Sequence, residues 1–460
     1  MNNHIISGKD LKPEETIRRI QHTLISEGFC PEIVSEKNNG GLFSILIADK
    51  HSERFMANGK GISRELALAS AYGEFMERFM TRFYFYDLWL TKDGPLPWVY
   101  DKNEIWTSKP EPLLKNLKKF YPKTILQTKS CYDINQSPGG EPYCFLPFHS
   151  RHGERVFLPV SFWRELYTSN GLAYGNNIHE ARVQALCEII ERHVKYRVIG
   201  EGLSLPSISP EKLKNPEIFY KAQSLLSEIG LKCTLFDASL AMNYPVMAFL
   251  IYTPEQQEAF LSFGAHPDQD IAIERAITEA FQGRNAMEDE PDFLNMVTDD
   301  TDLTGLPENL ESHFINSTGI LHANIFKTPL SPSLTFRSFH GSSEEEWKYL
   351  CDIVEKTGFT ILTRDIFWNN HSACQIIIPG FSEVYPYQDL IEKDFPGYCV
   401  TRNEVLSLLE RYPRDTERLV ELLDSEYFRP DQDLGEALGV LFPTDAPWFN
   451  HTVEEVIESH

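Results

Sequence analysis

Three helical segments of this chain share one spacing of residues, and this spacing constrains the fold more than any other feature. In each segment an alanine is followed seven residues later by an acid: Ala67 by Glu74, Ala181 by Glu188, and Ala272 by Glu279. The first two segments then add a second acid and an arginine, in Glu77-Arg78 and Glu191-Arg192, whereas the third has Gln282 and, one place later than expected, Arg284. This recurrence predicts one structural role that is used three times.

Two acids three residues apart lie on one face of a helix, with their Cβ atoms about 5–6 Å apart. In the first two segments the acids belong to a narrow polar stripe on an otherwise apolar surface. The stripe residues are Ser70, Glu74, Glu77 and Thr81 in the first segment, and Glu180, Gln184, Glu188, Glu191 and Lys195 in the second. A solvated face would be wider, so both helices are predicted to be buried on most sides.

Buried carboxylates are costly unless they are protonated, paired with arginine or bound to a metal. Two facing acid pairs would supply the all-oxygen ligands that suit Mg²⁺, which typically bridges carboxylates to the phosphates of a nucleotide. The nearby arginines that could donate to phosphate are Arg78, Arg192, Arg275 and Arg284. The alternative is that Glu77-Arg78 and Glu191-Arg192 are structural ion pairs that hold the helices in register. The sequence contains no P-loop, kinase signature or GxGxxG motif, so a nucleotide would be bound in an unusual way.

Composition excludes several other classes of protein. The chain has 43 Lys and Arg against 67 Asp and Glu, a formal charge of −24, which disfavours binding to duplex DNA and means that any phosphate ligand needs local arginines or a divalent cation. The eight cysteines form no CxxC pair, which favours a reducing cytoplasm. No apolar run approaches the ~20 residues that cross a bilayer, and no signal peptide is recognisable. His266 is either a catalytic base or a core histidine, and the structural role is favoured.

The order of predicted elements is typical of an α+β protein with mixed sheets. Helices are expected at 13–27, 63–85, 178–199, 209–230, 270–284 and 344–357, and strands at 42–48, 53–57, 156–160, 231–237, 245–253, 359–365 and 373–379. Residues 90–150 have weak periodicity and are predicted to be an irregular insertion with short helical pieces. Beyond about 388 the chain becomes charged and helical, with segments near 403–411, 414–424, 432–440 and 452–458. We therefore expect two regions, 1–388 and 389–460.

Several motifs together resemble those of the YcaO family. They are Gly59-Lys60-Gly61-x-Ser63, Ser70-Ala71-x-x-Glu74-x-x-Glu77-Arg78, Ser169-Asn170-Gly171-Leu172-x-x-Gly175-Asn176, Glu188-x-x-Glu191-Arg192, and Gly264-Ala265-His266-Pro267-Asp268. The resemblance runs from Lys9 to the stretch at 378–380 and is closest to the founding branch of the family. It implies that 1–388 is an ATP-binding catalytic domain without a P-loop, in which long helices with paired glutamates pack on mixed sheets.

The resemblance also implies roles for individual residues. Those that match the metal-binding acids are Glu74, Glu77, Glu188 and Glu191. Those that match positions around the nucleotide and its phosphates are Lys9, Thr16, Ser70, Arg78, Asn176, Glu180, Gln184, Arg192, Arg275 and Glu279. Thr16 stands in place of a serine and keeps a hydroxyl, whereas Ala173 replaces another serine and removes one contact. The implied cofactors are ATP and Mg²⁺, and no catalytic residue is assigned.

The family resemblance implies an amide-activating enzyme that phosphorylates a backbone amide oxygen. In the founding branch, it implies assistance to RimO-type β-methylthiolation of a small-subunit ribosomal protein, with a radical-SAM methylthiotransferase as partner and a homodimeric state. Formation of thioamides or azolines on a peptide is the alternative, although the chain lacks the Pro-rich tail of azoline-forming members. The chain also stops about where the founding type has a further helical-repeat region. A third possibility is a nucleotide-binding accessory factor that performs no chemistry.

Overall fold

The structure, a computed structural model, describes residues 9–50, 52–85, 100–126, 131, 133, 141–284, 294–327 and 338–385. Within these ranges, fifteen strands and ten α-helices are arranged in three sheets, so the expected α+β class is confirmed. The predicted helices from 403 onward lie outside the described residues, and the division at 388 stays a prediction. No described helix is long and apolar enough to cross a membrane.

The first sheet is a three-stranded antiparallel meander near the N-terminus. It contains β1 (Pro31–Asn39), β2 (Leu42–Asp49) and β3 (Ser52–Gly61), and it packs on α1 (Pro13–Ser26) and α2 (Arg64–Met80). The two predicted strands at 42–48 and 53–57 are present. Strand β1 was not predicted, because most of its side chains are partly or fully exposed and its sequence has no alternation of apolar residues.

The second sheet has six strands in the order β13-β12-β11-β10-β9-β8, antiparallel except for β12 and β13. Its strands are β8 (Ser207–Ile208), β9 (Lys232–Asp237), β10 (Val246–Tyr252), β11 (Glu258–Ala265), β12 (Asn295–Thr298) and β13 (Ile320–His322). Alternate residues of β10 face opposite sides: Ala248 and Leu250 pack in the cluster around α5 (Ile178–Gly200), while Met247 and Phe249 pack with α6 (Glu217–Glu228) and α7 (Gln269–Ala280). The continuous apolar run of β10 therefore reflects burial on both faces.

The third sheet has the order β4-β5-β14-β15-β7, with β6 paired to β5. Its strands are β4 (Ile105–Thr107), β5 (Tyr143–Ser150), β6 (Arg155–Pro159), β7 (Leu172–Gly175), β14 (Leu362–Trp368) and β15 (His371–Ile377). Helix α5 packs on β7 and β15 and against α10 (Ser343–Lys356). The remaining helices are short: α3 (Glu111–Leu117), α4 (Val160–Phe162), α8 (Thr301–Thr304) and α9 (Pro307–Ile315).

Residues 90–150 were predicted to be an irregular insertion with short helical pieces; among the described residues α3 is such a short helix, whereas β4 and β5 are strands of the third sheet. Strand β5 is buried along almost its whole length and belongs to a core cluster with Phe145 and Phe148 at its centre. A strand buried on both faces shows no apolar-polar alternation, and Pro147 inside the run argued against a strand. For these two reasons, β5 was not predicted from the sequence.

Three helix limits also differ from prediction for identifiable reasons. The helix expected over 63–85 ends at Met80, since Arg82 adopts a left-handed backbone with φ 67°. The helix expected over 209–230 begins only at Glu217, because a separate turn at Pro210–Lys212 precedes it. The helix expected over 270–284 ends at Ala280, before Gly283 with φ 70°.

The shared spacing found in the sequence corresponds to one local structure in each sheet. In β3–α2, β7–α5 and β11–α7, a strand ends in a tight turn and a helix begins, capped by Ser63, Asn177 and Asp268 respectively. A Cβ added at Gly59 would lie 2.0 Å from the carbonyl oxygen of Ala67, and one at Gly264 would lie 2.3 Å from that of Ala272. The helices therefore approach the strands at a distance that only glycine permits.

Candidate functional site

A cavity of about 720 Å³ lies where α2, α5 and α7 converge, and all fourteen residues proposed from the sequence line it. The four acids predicted to bind metal are Glu74, Glu77, Glu188 and Glu191. The ten residues predicted to surround the nucleotide are Lys9, Thr16, Ser70, Arg78, Asn176, Glu180, Gln184, Arg192, Arg275 and Glu279. The fold thus brings together residues from positions 9 to 279, although their individual roles stay predictions.

Helix α2 contributes Glu74, Glu77 and Arg78. Glu74 forms an ion pair with Arg78 one turn later, and it also accepts a hydrogen bond from the backbone N–H of Asn58 at 3.2 Å. Burial, reinforced by the neighbouring Glu188 and Glu74 carboxylates, raises the pKa of Glu77 well above its usual value. The Nε of Arg78 is buried and has no hydrogen-bond partner among the described residues. This helix therefore places two neighbouring carboxylates beside a guanidinium group that has one unused hydrogen-bond donor.

Helix α5 repeats the arrangement from the opposite side of the cavity. Glu188 pairs with Arg192 at 2.7 Å, and Glu191 accepts from the backbone N–H of Ala265 at 3.2 Å. Burial raises the pKa of both Glu188 and Glu191. Arg192 lies 4.4 Å over the ring of Phe314, and its second terminal nitrogen is buried without a partner in the described part of the chain.

These contacts bear on the alternative of structural ion pairs. The alternative placed Glu77 with Arg78 and Glu191 with Arg192, but each arginine instead pairs with the acid four residues before it. Among the described residues, neither Glu77 nor Glu191 forms an ion pair. One acid of each pair is thus held by arginine, and the other is partly buried without a counter-ion at contact distance.

Helix α7 supplies the third wall of the cavity. Glu279 pairs with Lys60 from β3, and burial lowers the pKa of that lysine to about 8. Arg275 donates to the carbonyl of Ala265 at 2.9 Å and to Oε1 of Gln184 at 2.7 Å. The third unit lines the cavity with Glu274, Arg275, Glu279 and Arg284, but it has no second acid three residues after Glu279.

The end of the cavity near the start of α5 is organised around Glu180, whose side chain is fully buried. Its carboxylate accepts from the backbone N–H and side-chain amide of Asn176, at 2.9 and 3.1 Å, and from the backbone N–H of Asp10. Lys9 lies 4.0 Å from it, and Thr16 donates to Asn176 at 3.1 Å. Glu180 therefore fixes the N-terminal segment to the mouth of the cavity.

The donor set fits Mg²⁺, although the acids are not arranged as a closed chelate. Among the described residues, no three His, Cys, Asp or Glu side chains are close enough together to hold a metal ion as they stand. However, carboxylates from α2 and α5 raise one another's pKa in a buried setting, which a divalent cation would relieve. Glu74 and Glu188, which pair with arginines here, would be among the carboxylates that hold such an ion, together with Glu77 and Glu191.

Sequence analysis gave no role to several cavity residues. Lys60 lies in a motif that was recognised, and Lys195 lies on the polar stripe of α5. The sequence could therefore have identified both as cavity residues. Burial lowers the pKa of Lys195 to about 7. Phe314, near the end of α9, and Asn316 and Ser317, which follow that helix, carried no pattern that could have identified them.

His266 takes the structural role that the sequence favoured. It is buried, its Nδ1 accepts from the backbone N–H of Asp268 at 3.0 Å, and its Nε2 lies 3.6 Å from Oε1 of Glu346. Burial lowers its pKa well below the usual value. A neutral histidine that stabilises the turn before α7 accounts for these contacts.

Comparisons with known proteins agree with the expected cofactors. Residues 58–382 match the family model described as YcaO cyclodehydratase, ATP- and Mg²⁺-binding, which names both expected cofactors. The chain is 34% identical, over 99% of its length and 80% of the relative's, to the ribosomal protein S12 methylthiotransferase accessory factor YcaO of Escherichia coli (strain K12). It is 32% identical to an uncharacterized protein of Haemophilus influenzae, over 98% of this chain and 79% of that one.

The fold is also similar to a solved structure described as a heterocyclase in complex with substrate and cofactor. The TM-score is 0.56 at 18% identity, and the match covers 83% of this chain. It covers 54% of the heterocyclase chain, so this chain spans about half the length of that protein. At this level of sequence identity, the similarity shows a shared fold.

Proposed function

This chain belongs to the ATP- and Mg²⁺-binding YcaO family, and from that membership we propose that it binds Mg²⁺-ATP between α2, α5 and α7 to activate an amide carbonyl of a protein or peptide. The observation that carries the proposal is the convergence of four glutamates and three arginines, Arg78, Arg192 and Arg275, on one cavity. The carboxylates are proposed to hold Mg²⁺, and the arginines to hold the phosphates.

The proposed reaction is phosphorylation of the amide oxygen. That oxygen attacks the γ-phosphorus in line, a new O–P bond forms, and the bond from the γ-phosphorus to the β,γ-bridging oxygen breaks, which releases ADP. The amide carbon then carries a good leaving group and accepts a nucleophile. Such a transfer depends on positioning and neutralisation of charge more than on a strong base, so no catalytic base is required.

The chain's residues would bind and orient the reactants. Arg78 has a buried Nε without a partner, and Arg192 has a terminal nitrogen without one, so both can donate to phosphate without losing every existing contact. Glu180 and Asn176 would fix the far end of the nucleotide together with the segment around Lys9. Mg²⁺, when bound, would neutralise phosphate charge during transfer.

The biological setting that we propose follows the function given in the name of the E. coli relative. The E. coli relative is named as an accessory factor of ribosomal protein S12 methylthiotransferase, and its identity extends over 99% of this chain. We therefore propose a cytoplasmic homodimer that assists a radical-SAM methylthiotransferase acting on a small-subunit ribosomal protein. Thioamide or azoline formation on a peptide is the alternative enzyme, and an accessory factor without chemistry is the alternative outside enzymes. Measurement of ATP turnover distinguishes this last alternative, because an accessory factor without chemistry would show no turnover that depends on the target protein.

The test is isothermal titration of ATP into the purified full chain, with and without Mg²⁺, for the wild type and Glu191→Gln. We expect micromolar binding that requires Mg²⁺ and is lost in the variant. Glu201→Gln is the matched control, because Glu201 caps the C-terminus of the same helix but forms an exposed ion pair with Arg197 outside the cavity. Unchanged affinity in Glu191→Gln would remove the metal assignment, and absence of binding in the wild type would contradict the nucleotide site.

A further inference from the structure

We propose that Lys60 is a built-in counter-ion of the cavity, that it opposes the binding of Mg²⁺ alone, and that it turns to the phosphates when metal and nucleotide enter together. Lys60 is not among the residues proposed to hold the metal, nor among those proposed to surround the nucleotide. The inference rests on the proposed function, because it concerns the order in which the same cavity takes up its two ligands.

Lys60 reaches the cavity because of its place at the end of β3. Gly59 and Gly61, on either side of it, face α2, and a Cβ at Gly61 would lie 2.8 Å from the backbone nitrogen of Ala67. Successive side chains of a strand point to opposite faces, so Lys60 and Asn58 project away from α2, and both line the cavity. The backbone of β3 therefore directs the ammonium group of Lys60 into the cavity.

The ammonium group of Lys60 interacts with acids from all three strand–turn–helix units. It forms an ion pair with Glu279 of α7. Burial lowers the pKa of Lys60, and the negative charges of Glu191, Glu74 and Glu188 act in the opposite direction. Burial raises the pKa of Glu191, and Lys60 opposes this shift more than any other charged group does. Lys60 is therefore a cation that the acids of α2, α5 and α7 share.

The arginines of the cavity do not occupy this position. Arg78 and Arg192 pair with acids of their own helices, and Arg275 is fixed by a backbone carbonyl and a side-chain amide. A lysine carries a compact charge on a flexible stem and can exchange one anionic partner for another. Lys60 is therefore suited to move from the acids to a phosphate group.

Competition between this ammonium group and Mg²⁺ would couple metal binding to nucleotide binding. If Mg²⁺ entered alone, Lys60 would have to leave the acids and remain beside a divalent cation, which is unfavourable. When a nucleotide is also present, its phosphates accept hydrogen bonds from the displaced ammonium group. Each ligand should therefore increase the affinity for the other, by a coupling free energy that depends on Lys60.

The first test is titration of MgCl₂ into the full chain, freed of metal by EDTA and dialysis, without nucleotide and at constant ionic strength. Thermal unfolding and calorimetry follow the binding. We expect Lys60→Met to bind Mg²⁺ at least about tenfold more tightly than the wild type, because the competing charge is gone. Lys60→Arg, which keeps the charge, should match the wild type.

The matched control is Lys50→Met, which should also behave like the wild type. Lys50 is an exposed lysine in the turn between β2 and β3, outside the cavity, and its replacement changes the net charge by the same amount. If Lys60→Met does not fold, Lys60→Gln takes its place, because glutamine can keep a hydrogen bond to Glu279 without the charge.

The second test repeats the comparison with the β,γ-methylene analogue of ATP at saturating Mg²⁺. Here Lys60→Met should bind the analogue at least about fivefold more weakly than the wild type, because a charged donor to the phosphates is lost. The two titrations should thus change in opposite directions. Loss of a purely structural ion pair between Lys60 and Glu279 would weaken both titrations or leave both unchanged.

Three results would overturn the inference. They are equal affinity of the wild type and Lys60→Met for Mg²⁺ alone, equally tight binding of Mg²⁺ by the wild type with and without the analogue, and unchanged affinity of Lys60→Met for the analogue. If the analogue fails to bind the wild type, the proposed function fails, and the titration with Mg²⁺ alone still decides whether Lys60 competes with the metal.

Discussion

Glu191 Oε2 accepts a hydrogen bond from the backbone N–H of Ala265, 3.2 Å away, and this contact joins the middle of α5 to the end of β11. The two residues belong to different strand–turn–helix units, whose strands β7 and β11 lie in different sheets. A few residues beyond Ala265, Asp268 caps α7, and Arg275 on that helix donates to the carbonyl oxygen of Ala265. Backbone groups at the end of a strand therefore position the side chains of the cavity, as other side chains do.

Glu188→Gln should abolish Mg²⁺-dependent ATP binding, with a loss of affinity of at least about tenfold, because one oxygen ligand and one charge are removed while the helix is unchanged. Titration calorimetry with and without Mg²⁺ measures the effect, and circular dichroism confirms that the fold is intact. Binding equal to that of the wild type would show that Glu188 serves only its 2.7 Å ion pair with Arg192.

Glu180→Ala should lower the free energy of unfolding by about 3 kcal/mol, since it leaves the donors of Asp10 and Asn176 without their buried charged acceptor. Urea denaturation measures the loss. Glu201→Ala, at the C-cap of the same helix, is the matched control, and its exposed ion pair should contribute only about 0.5 kcal/mol. Equal effects of the two substitutions would mean that Glu180 does not fix the N-terminal segment.

Gly59→Ala should destabilise the protein by about 3 kcal/mol or prevent folding, because its Cβ would lie 2.0 Å from the Ala67 carbonyl oxygen and 2.2 Å from the Ala71 nitrogen. Gly73→Ala on α2 is the opposite case: its Cβ would meet nothing nearer than 3.9 Å. There the higher helix propensity of alanine should add about 0.5–1 kcal/mol. Thermal unfolding of both variants tests the pair, and a stable Gly59→Ala would contradict the close approach of α2 to β3.

His371 should make stability depend on pH. Its ring bridges Tyr174 and Thr23 at 2.9 Å each, and burial lowers its pKa to about 4. The unfolded chain, with a pKa near 6.5, binds a proton that the folded chain excludes, so this contribution is complete above about pH 6.5 and is lost as pH falls towards 4.

The measurement compares wild type with His371→Gln by urea unfolding at pH 7 and pH 5. The variant should be less stable at pH 7, and its deficit should shrink by about 2 kcal/mol at pH 5, because only the wild type loses the histidine contribution. A deficit that is the same at both pH values would show that His371 titrates alike in the folded and unfolded chains.

The sequence predicted the site better than it predicted the sheets. Carboxylates on narrow polar stripes are visible at helical spacing, so α2 and α5 and their cavity residues could be found from the chain alone. The partners of the arginines could not, because Glu74 and Glu77 are both within reach of Arg78 and only side-chain packing selects the first. Strand β5 was missed since burial on both faces removes the alternation that identifies a strand.

The third unit shows a signal that was present but not used. Besides the alanine, the three units share a capping residue four places before it: Ser63, Asn177 and Asp268. Each side chain accepts hydrogen bonds from the first turn of its helix, which is why Ser, Asn and Asp interchange there. Had the caps been aligned, the α7 unit would have matched the others more clearly than its acids suggest.

The length of α5 has a consequence for how chains of this kind can vary. This helix carries core residues such as Ile189 and Ile190 and cavity residues such as Glu188 and Glu191 in one unbroken run. An inserted or deleted residue between Gln184 and Glu188 would turn everything after it by about 100°. The glutamates would then point into the apolar core and the isoleucines into the cavity. Any length change that keeps both faces must therefore fall outside this helix, in the loops that precede Asn177 or follow Gly200.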